Sequence, residues 1–221
     1  MASSLNFDSK FESRVKSLLE AAEIPYIIPS RESIKSKYLH VPSIGLDVVR
    51  ERSLFNHNFQ ESQDSLHSEK SKILTPYEFT EFLKEAKTNA QEVYQEITEI
   101  KNPWRAEWLD AKFEMKGEDM YVNYHAFDSN GNIVEKTEIL DKETLMKNKS
   151  PGISIDSWLE NPTAQGLPKK STKDGSLYYW NPRDGKVAGF YVNGYGAGLN
   201  CFGDPSDQGD DLGVRAAKQR E

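Results

Sequence analysis

The sequence predicts an α+β protein in which helices precede a strand-rich region. Three observations carry this. Apolar residues recur at helical spacing in the first hundred residues, and the period changes to two from Trp108 onward. Glycine is unevenly spread: Gly45, Gly117 and Gly131 precede Pro151, and the other eleven follow it. Many short strands joined by long Gly-, Pro- and Asp-rich loops make a fold whose loops carry the function.

Ser9-Lys10-Phe11-Glu12 has the form of a capping box. Phe11, Val15, Leu18, Leu19 and Ala22 then form one helical stripe, which Pro25 and Pro29 end. Residues 51–72 are polar, without sustained period, and read as an exposed linker or a poorly packed helix. Thr75-Pro76-Tyr77-Glu78 supplies an N-cap, a proline at the first helical position and a glutamate at the third. An apolar face from Phe79 to Ile100 predicts about seven turns of one continuous helix, closed by Pro103.

Trp108–Met115, Met120–Phe127 and Ile133–Leu140 alternate apolar and polar residues, with turns at Gly117 and at Asn130-Gly131. They predict an antiparallel meander, followed by a short helix over Asp141–Asn148. Ile153–Ile155, Leu177–Trp180, Val187–Val192, Leu199–Phe202 and Leu212–Ala216 are the later strand candidates. The division expected is a helical region over 1–104 and a ligand-binding domain over 105–221.

Composition excludes several classes. Net charge −7 and a pI near 5.3 argue against nucleic acid as a partner. One cysteine, Cys201, removes disulfides and Cys-rich zinc modules. No apolar run is long enough for membrane insertion, and the first residues lack the basic and apolar regions of a signal peptide. The expected location is therefore cytoplasmic or on a virion.

Catalytic signals are sparse. His40, His57, His67 and His125 lack metal-ligand spacing, and three of them fall in loop-like sequence. Cys201 has no basic or cationic neighbour in sequence and reads as a buried thiol. Asp128-Ser129-Asn130-Gly131-Asn132 reads as a hairpin turn. Asp204 with Asp207, Asp210 and Asp211 reads as a solvated surface, with calcium as the alternative. Neither completes the calcium loop of an EF-hand. Trp104, Trp108, Trp158 and Trp180 serve either as core or as a stacking platform for carbohydrate or bases.

Between Val187 and Asp207 there is no Lys, Glu, Gln, Trp or Met, types that make up about a quarter of the remaining chain. No codon for these five ends in a pyrimidine, whereas every residue present has such a codon. This pattern results when adenines in AAC- or AAT-type codons are randomised with the third base held fixed. A Gly/Asn/Asp-rich loop composition describes the same stretch. Gln208 departs from the rule and bounds the segment or marks a fixed position.

The stretch from Tyr178-Tyr179-Trp180-Asn181-Pro182-Arg183 to Leu212-Gly213-Val214-Arg215-Ala216-Ala217 resembles the C-terminal end of the variable proteins of diversity-generating retroelements. The ending LGVRAAKQRE is most similar to the archaeal and archaeal-virus type. Val214-Arg215 also resembles the closing strand of formylglycine-generating-enzyme-like domains. The resemblance covers about the last seventy residues and implies a C-type-lectin-like domain with short antiparallel strands and long loops. Leu177–Trp180 and Leu212–Ala216 would be scaffold. A variable segment over about 187–211 would offer Tyr191, Asn193, Gly194, Tyr195, Gly196, Asn200, Phe202, Gly203, Ser206, Asp207, Asp210 and Asp211 to a ligand. Aromatic rings there would provide rigid contact area, and Asn, Ser and Gly adaptable hydrogen bonds. The expected function is non-enzymatic binding of a protein or surface ligand, without cofactor. The alternatives are an enzyme or a calcium-binding virion protein on the formylglycine-generating-enzyme-like scaffold.

Overall fold

The computed structural model describes residues 36–100 and 102–220. The helix expected over Phe11–Ala22 lies outside them. Lys37–Glu221 form one compact unit, and its class is α+β, with mostly antiparallel sheets.

Two sheets organise it. The smaller has the order β1-β2-β12-β3, from Tyr38–Val41, Leu46–Val49, Ala216–Gln219 and Lys72–Ile73. Strands on both sides of residue 104 thus share one sheet, in which β12 lies between β2 and β3. The larger has the order β6-β5-β4-β9-β10-β8-β7. Its strands are β4 (Arg105–Lys116), β5 (Asp119–Phe127), β6 (Ile133–Ile139), β7 (Lys149–Ile153), β8 (Leu177–Trp180), β9 (Val187–Asn193) and β10 (Gly196–Gly203). Short β11 (Leu212–Gly213) runs parallel to the start of β4. The meander β4–β6 forms where period two predicts it. Asp128 organises its second turn, its Oδ1 accepting from the amides of Asn130 and Asn132 at 2.8 and 2.9 Å.

Two expectations are corrected, and the alternative left open for 51–72 resolves to a well-packed helix. The polar stretch 51–72 contains a capped helix, α1 (Phe59–Ser68). Asn58 accepts from the Glu61 amide, and Phe59 and Leu66 are buried. The long helix is two helices, α2 (Pro76–Asn89) and α3 (Gln91–Thr98), parted at Ala90, where φ is −151° and ψ 60°. The capping box at Thr75 forms as its residues require. Asp141–Asn148 is not helical: Leu145 donates to Pro168 and Thr144 bridges Lys169, so a distant loop takes the hydrogen bonds a helix would use. The helix in this part of the chain is instead α4 (Ile155–Glu160), capped by Ser154.

The core lies between α2 and the inner face of the large sheet. Phe79, Phe82, Leu83 and Ala86 of α2 are fully buried. Phe79 meets Phe190 of β9 with ring centroids 5.1 Å apart, and Trp158 stacks on the same ring at 6.3 Å. The apolar face of α2 therefore covers a sheet of its own chain. Among the described residues, no helix is long and apolar enough to cross a membrane.

Candidate ligand-binding surface

Alternation along β9 and β10 sorts their side chains onto two faces. Phe190 and Val192 with Leu199 and Cys201 point into the core and are wholly buried. The intervening residues face outward, in the register Asn193↔Gly196, Tyr191↔Gly198 and Gly189↔Asn200. Neighbouring strands extend this outer face. Tyr178 and Trp180 of β8 stand beside Gly198 and Asn200, and Ala106 and Trp108 of β4 beside Tyr191 and Gly189.

Glycine makes room for the rings. A Cβ at Gly198 would lie 2.5 Å from the Tyr191 hydroxyl, so the tyrosine lies across that position. Trp180 centres an aromatic cluster, with Tyr178 stacked at 5.7 Å, Tyr191 tilted at 5.6 Å and Phe202 edge-on at 6.1 Å. The Arg183 guanidinium lies 4.6 Å from the Phe202 ring centre. Burial, and then the nearby Tyr178, push the Tyr191 hydroxyl pKa well up, so it stays a neutral donor. At the hairpin tip, Asn193 accepts from the Tyr195 amide at 3.0 Å. Tyr195 there is 80% exposed, and Trp104 on the adjoining end of β4 is 58% exposed.

The loop after β10 folds back over α1. Asp204 accepts from Lys186 at 2.8 Å and from the Ser206 amide and hydroxyl, which holds its carboxyl well below the usual carboxylate range. Phe59 donates to the Pro205 carbonyl, Asn56 to Gly209, and Gln208 to Glu61. Asp207, Asp210 and Asp211 are exposed, and no ion pair engages them among the described residues. Between this loop and the sheet lies a groove of about 220 Å³, lined chiefly by Trp108, Tyr191, Asn200, Gly203, Asp207 and Leu212.

Of the residues expected to meet a ligand, Tyr191, Asn200, Gly203 and Asp207 come together in this groove. Phe202 joins the aromatic cluster, and Asn193, Gly194 and Tyr195 form the hairpin tip. Ser206 is exposed on the Asp204 turn, and Asp210 and Asp211 lie exposed at the far end of the loop. Gly196 is buried. The sequence assigns Tyr178 and Leu212 to scaffold alone, and Trp180 to scaffold or, with the other tryptophans, to core or a stacking platform. Alternation in Leu177-Tyr178-Tyr179-Trp180 was the available signal, since Leu177 and Tyr179 point inward and the other two do not. Of the remaining tryptophans, Trp158 is core, and Trp108 packs edge-on against Phe59 while lining the groove.

The histidines sit in structure more than in loops. His40 lies on β1, 2.9 Å from Asp47, and His57 bonds the Phe55 carbonyl just before α1. His67 of α1 and His125 of β5 pack ring to ring at 4.6 Å, and His125 lies 3.2 Å from buried Asp110. Burial raises the pKa of the Cys201 thiol far above its ordinary value, leaving it neutral. Among the described residues no cluster of three or more His, Cys, Asp or Glu side chains has the arrangement of a metal site. No protein-family model, curated protein or solved structure matches this chain.

Proposed function

We propose that this protein binds a protein or surface ligand, without catalysis, through diversified side chains displayed on a fixed, C-type-lectin-like scaffold of the retroelement-associated kind. One coincidence carries the reading. The segment that lacks every residue type without a pyrimidine-ending codon is the β9–β10 hairpin with its following turn. Its alternate residues supply one half of a half-buried aromatic face, the exposed Tyr195 at the hairpin tip, and the sheet side of the adjoining groove.

The arrangement suits recognition. Tyr and Phe rings offer area at low entropic cost, and the Asn and Gly positions between them adapt hydrogen bonding to different partners. The inward residues of the same strands are wholly buried, Phe190 against Phe79 of α2, so outward changes leave the core intact.

Sequencing this gene across closely related isolates tests the reading. Substitutions should gather at codons 191, 193, 195, 200 and 202, with third bases unchanged and codons 190, 192, 199 and 201 constant. Substitutions spread evenly over both faces, or lying at third bases, would overturn it.

A further inference from the structure

We propose that the groove between Tyr191 and the loop 204–211 receives an arginine side chain from a protein partner. This deepens the ligand-display reading and rests on it. The groove has an apolar lining in Trp108, Leu212 and the Tyr191 ring, which suits the aliphatic stem of a long side chain. At one wall stands the Asp207 carboxylate, exposed and without an ion-pair partner among the described residues.

Charge complementarity decides the kind of partner. Asp210 and Asp211 add two further exposed carboxylates on the same loop. Of the basic groups nearby, Arg183 lies over the Phe202 ring, outside the groove's lining, and the others are paired. Lys186 pairs with Asp204 at 2.8 Å. Arg52 donates to the carbonyls of Ala106 and Asp211 and lies beside Glu96. Glu107, which also lines the groove, is neutralised by Arg105 and Arg215. The groove is thus left with a net negative wall beside an aromatic face. Guanidinium fits this pair best: its plane stacks on a ring while its fork meets a carboxylate, whereas an ammonium is a compact, strongly hydrated charge.

The test is selection of a phage-displayed random short-peptide library against the whole protein. Individual peptides are then titrated against Asp207→Asn, Tyr191→Ala and, as a control for net charge, Glu118→Gln at the β4–β5 turn. Melting curves for each variant establish that it is folded. The expected result is enrichment of arginine, with binding weakened about tenfold by Asp207→Asn, the loss of one charge-assisted hydrogen bond. Glu118→Gln should change nothing. Peptides that lose binding in Tyr191→Ala yet carry no arginine, carry only lysine, or ignore Asp207→Asn overturn the arginine assignment and leave the binding surface standing. Peptides indifferent to both groove variants, or no selected peptide at all, overturn the arginine assignment and count against the surface as well.

Discussion

Arg215 Nε stands 2.9 Å from Glu107 Oε2, and each side chain is 1% exposed. Arg215 lies between β11 and β12, while Glu107 lies on β4 near the middle of the large sheet. Arg105, 3% exposed, meets Glu107 at 2.5 Å and Glu96 of α3 at 2.8 Å. Glu96 in turn reaches Arg215 at 2.7 Å. The last strand is therefore keyed to both sheets and to a helix by charges behind the aromatic face, and Arg52, beside Glu96, ties the Asp211 carbonyl of the loop to the same network.

Glu107→Gln should destabilise the fold by about 3–5 kcal/mol, because it leaves two buried arginines with only the partly exposed Glu96 as countercharge. Burial alone would raise the Glu107 pKa, but the attraction of Arg215 and Arg105 outweighs it and holds the carboxyl below its ordinary value. A depressed folded pKa contributes stability that is present above the unfolded value of about 4.3 and lost as pH falls through the folded one. Urea titrations as a function of pH should thus show a shallower acid loss in the variant. Equal acid slopes in both proteins would contradict the network.

Gly198→Ala and Gly152→Ala should separate display from scaffold. At Gly198 the new methyl meets the end of the Tyr191 side chain, which can swing away. Stability should then change little while the Tyr191 environment changes. At Gly152 the methyl would lie 2.0 Å from the Leu177 carbonyl oxygen, a backbone atom that cannot yield locally. There the cost should be at least about 1–3 kcal/mol. Thermal melts with tyrosine NMR on both variants make the comparison.

The paired histidines should titrate apart. The Asp110 hydrogen bond raises the His125 pKa against the effect of burial, whereas burial, and then His125 itself, lower that of His67. His125 therefore contributes stability present below the unfolded value of about 6.5 and lost as pH rises through its folded pKa. His67 has the opposite sign, with stability lost as pH falls below about 6.5. Histidine NMR should show this order in the native protein, and Asp110→Asn should bring the His125 pKa down. An unmoved His125 would sink the assignment.

Cys201 should be inert to thiol reagents in the folded protein and react fully in denaturant, because its sulfur is neutral and wholly buried. Stoichiometric labelling under native conditions would show that β10 opens.

The strands legible in sequence were those whose signal is local. Alternation marks β4, β5, β6 and β9, and Thr75-Pro76-Tyr77-Glu78 marks the start of α2. What escaped depends on distant partners. Helix α1 buries Ser62 and Gln63, and Gln63 makes sense only against Asp110, to which it donates at 2.6 Å. Strands β1 and β2 are short, and β2 pairs with β12 at the other end of the chain. Ala90 parts two helices without glycine or proline to announce it. At the surface, the missing residue types pointed to β9–β10, but not to Tyr178 and Trp180. Those rings join the aromatic face through a parallel pairing with β10; local alternation turns them outward but does not name that partner strand.

The most direct measurement is the DNA around the gene. A nearby repeat of codons 187–211 that differs from the gene only where the repeat carries adenine is expected, accompanied by a reverse transcriptase gene. Its differences should fall on Tyr191, Asn193, Tyr195, Asn200 and Phe202. Flanking DNA without such a repeat, or a repeat differing at other bases, would contradict diversified display.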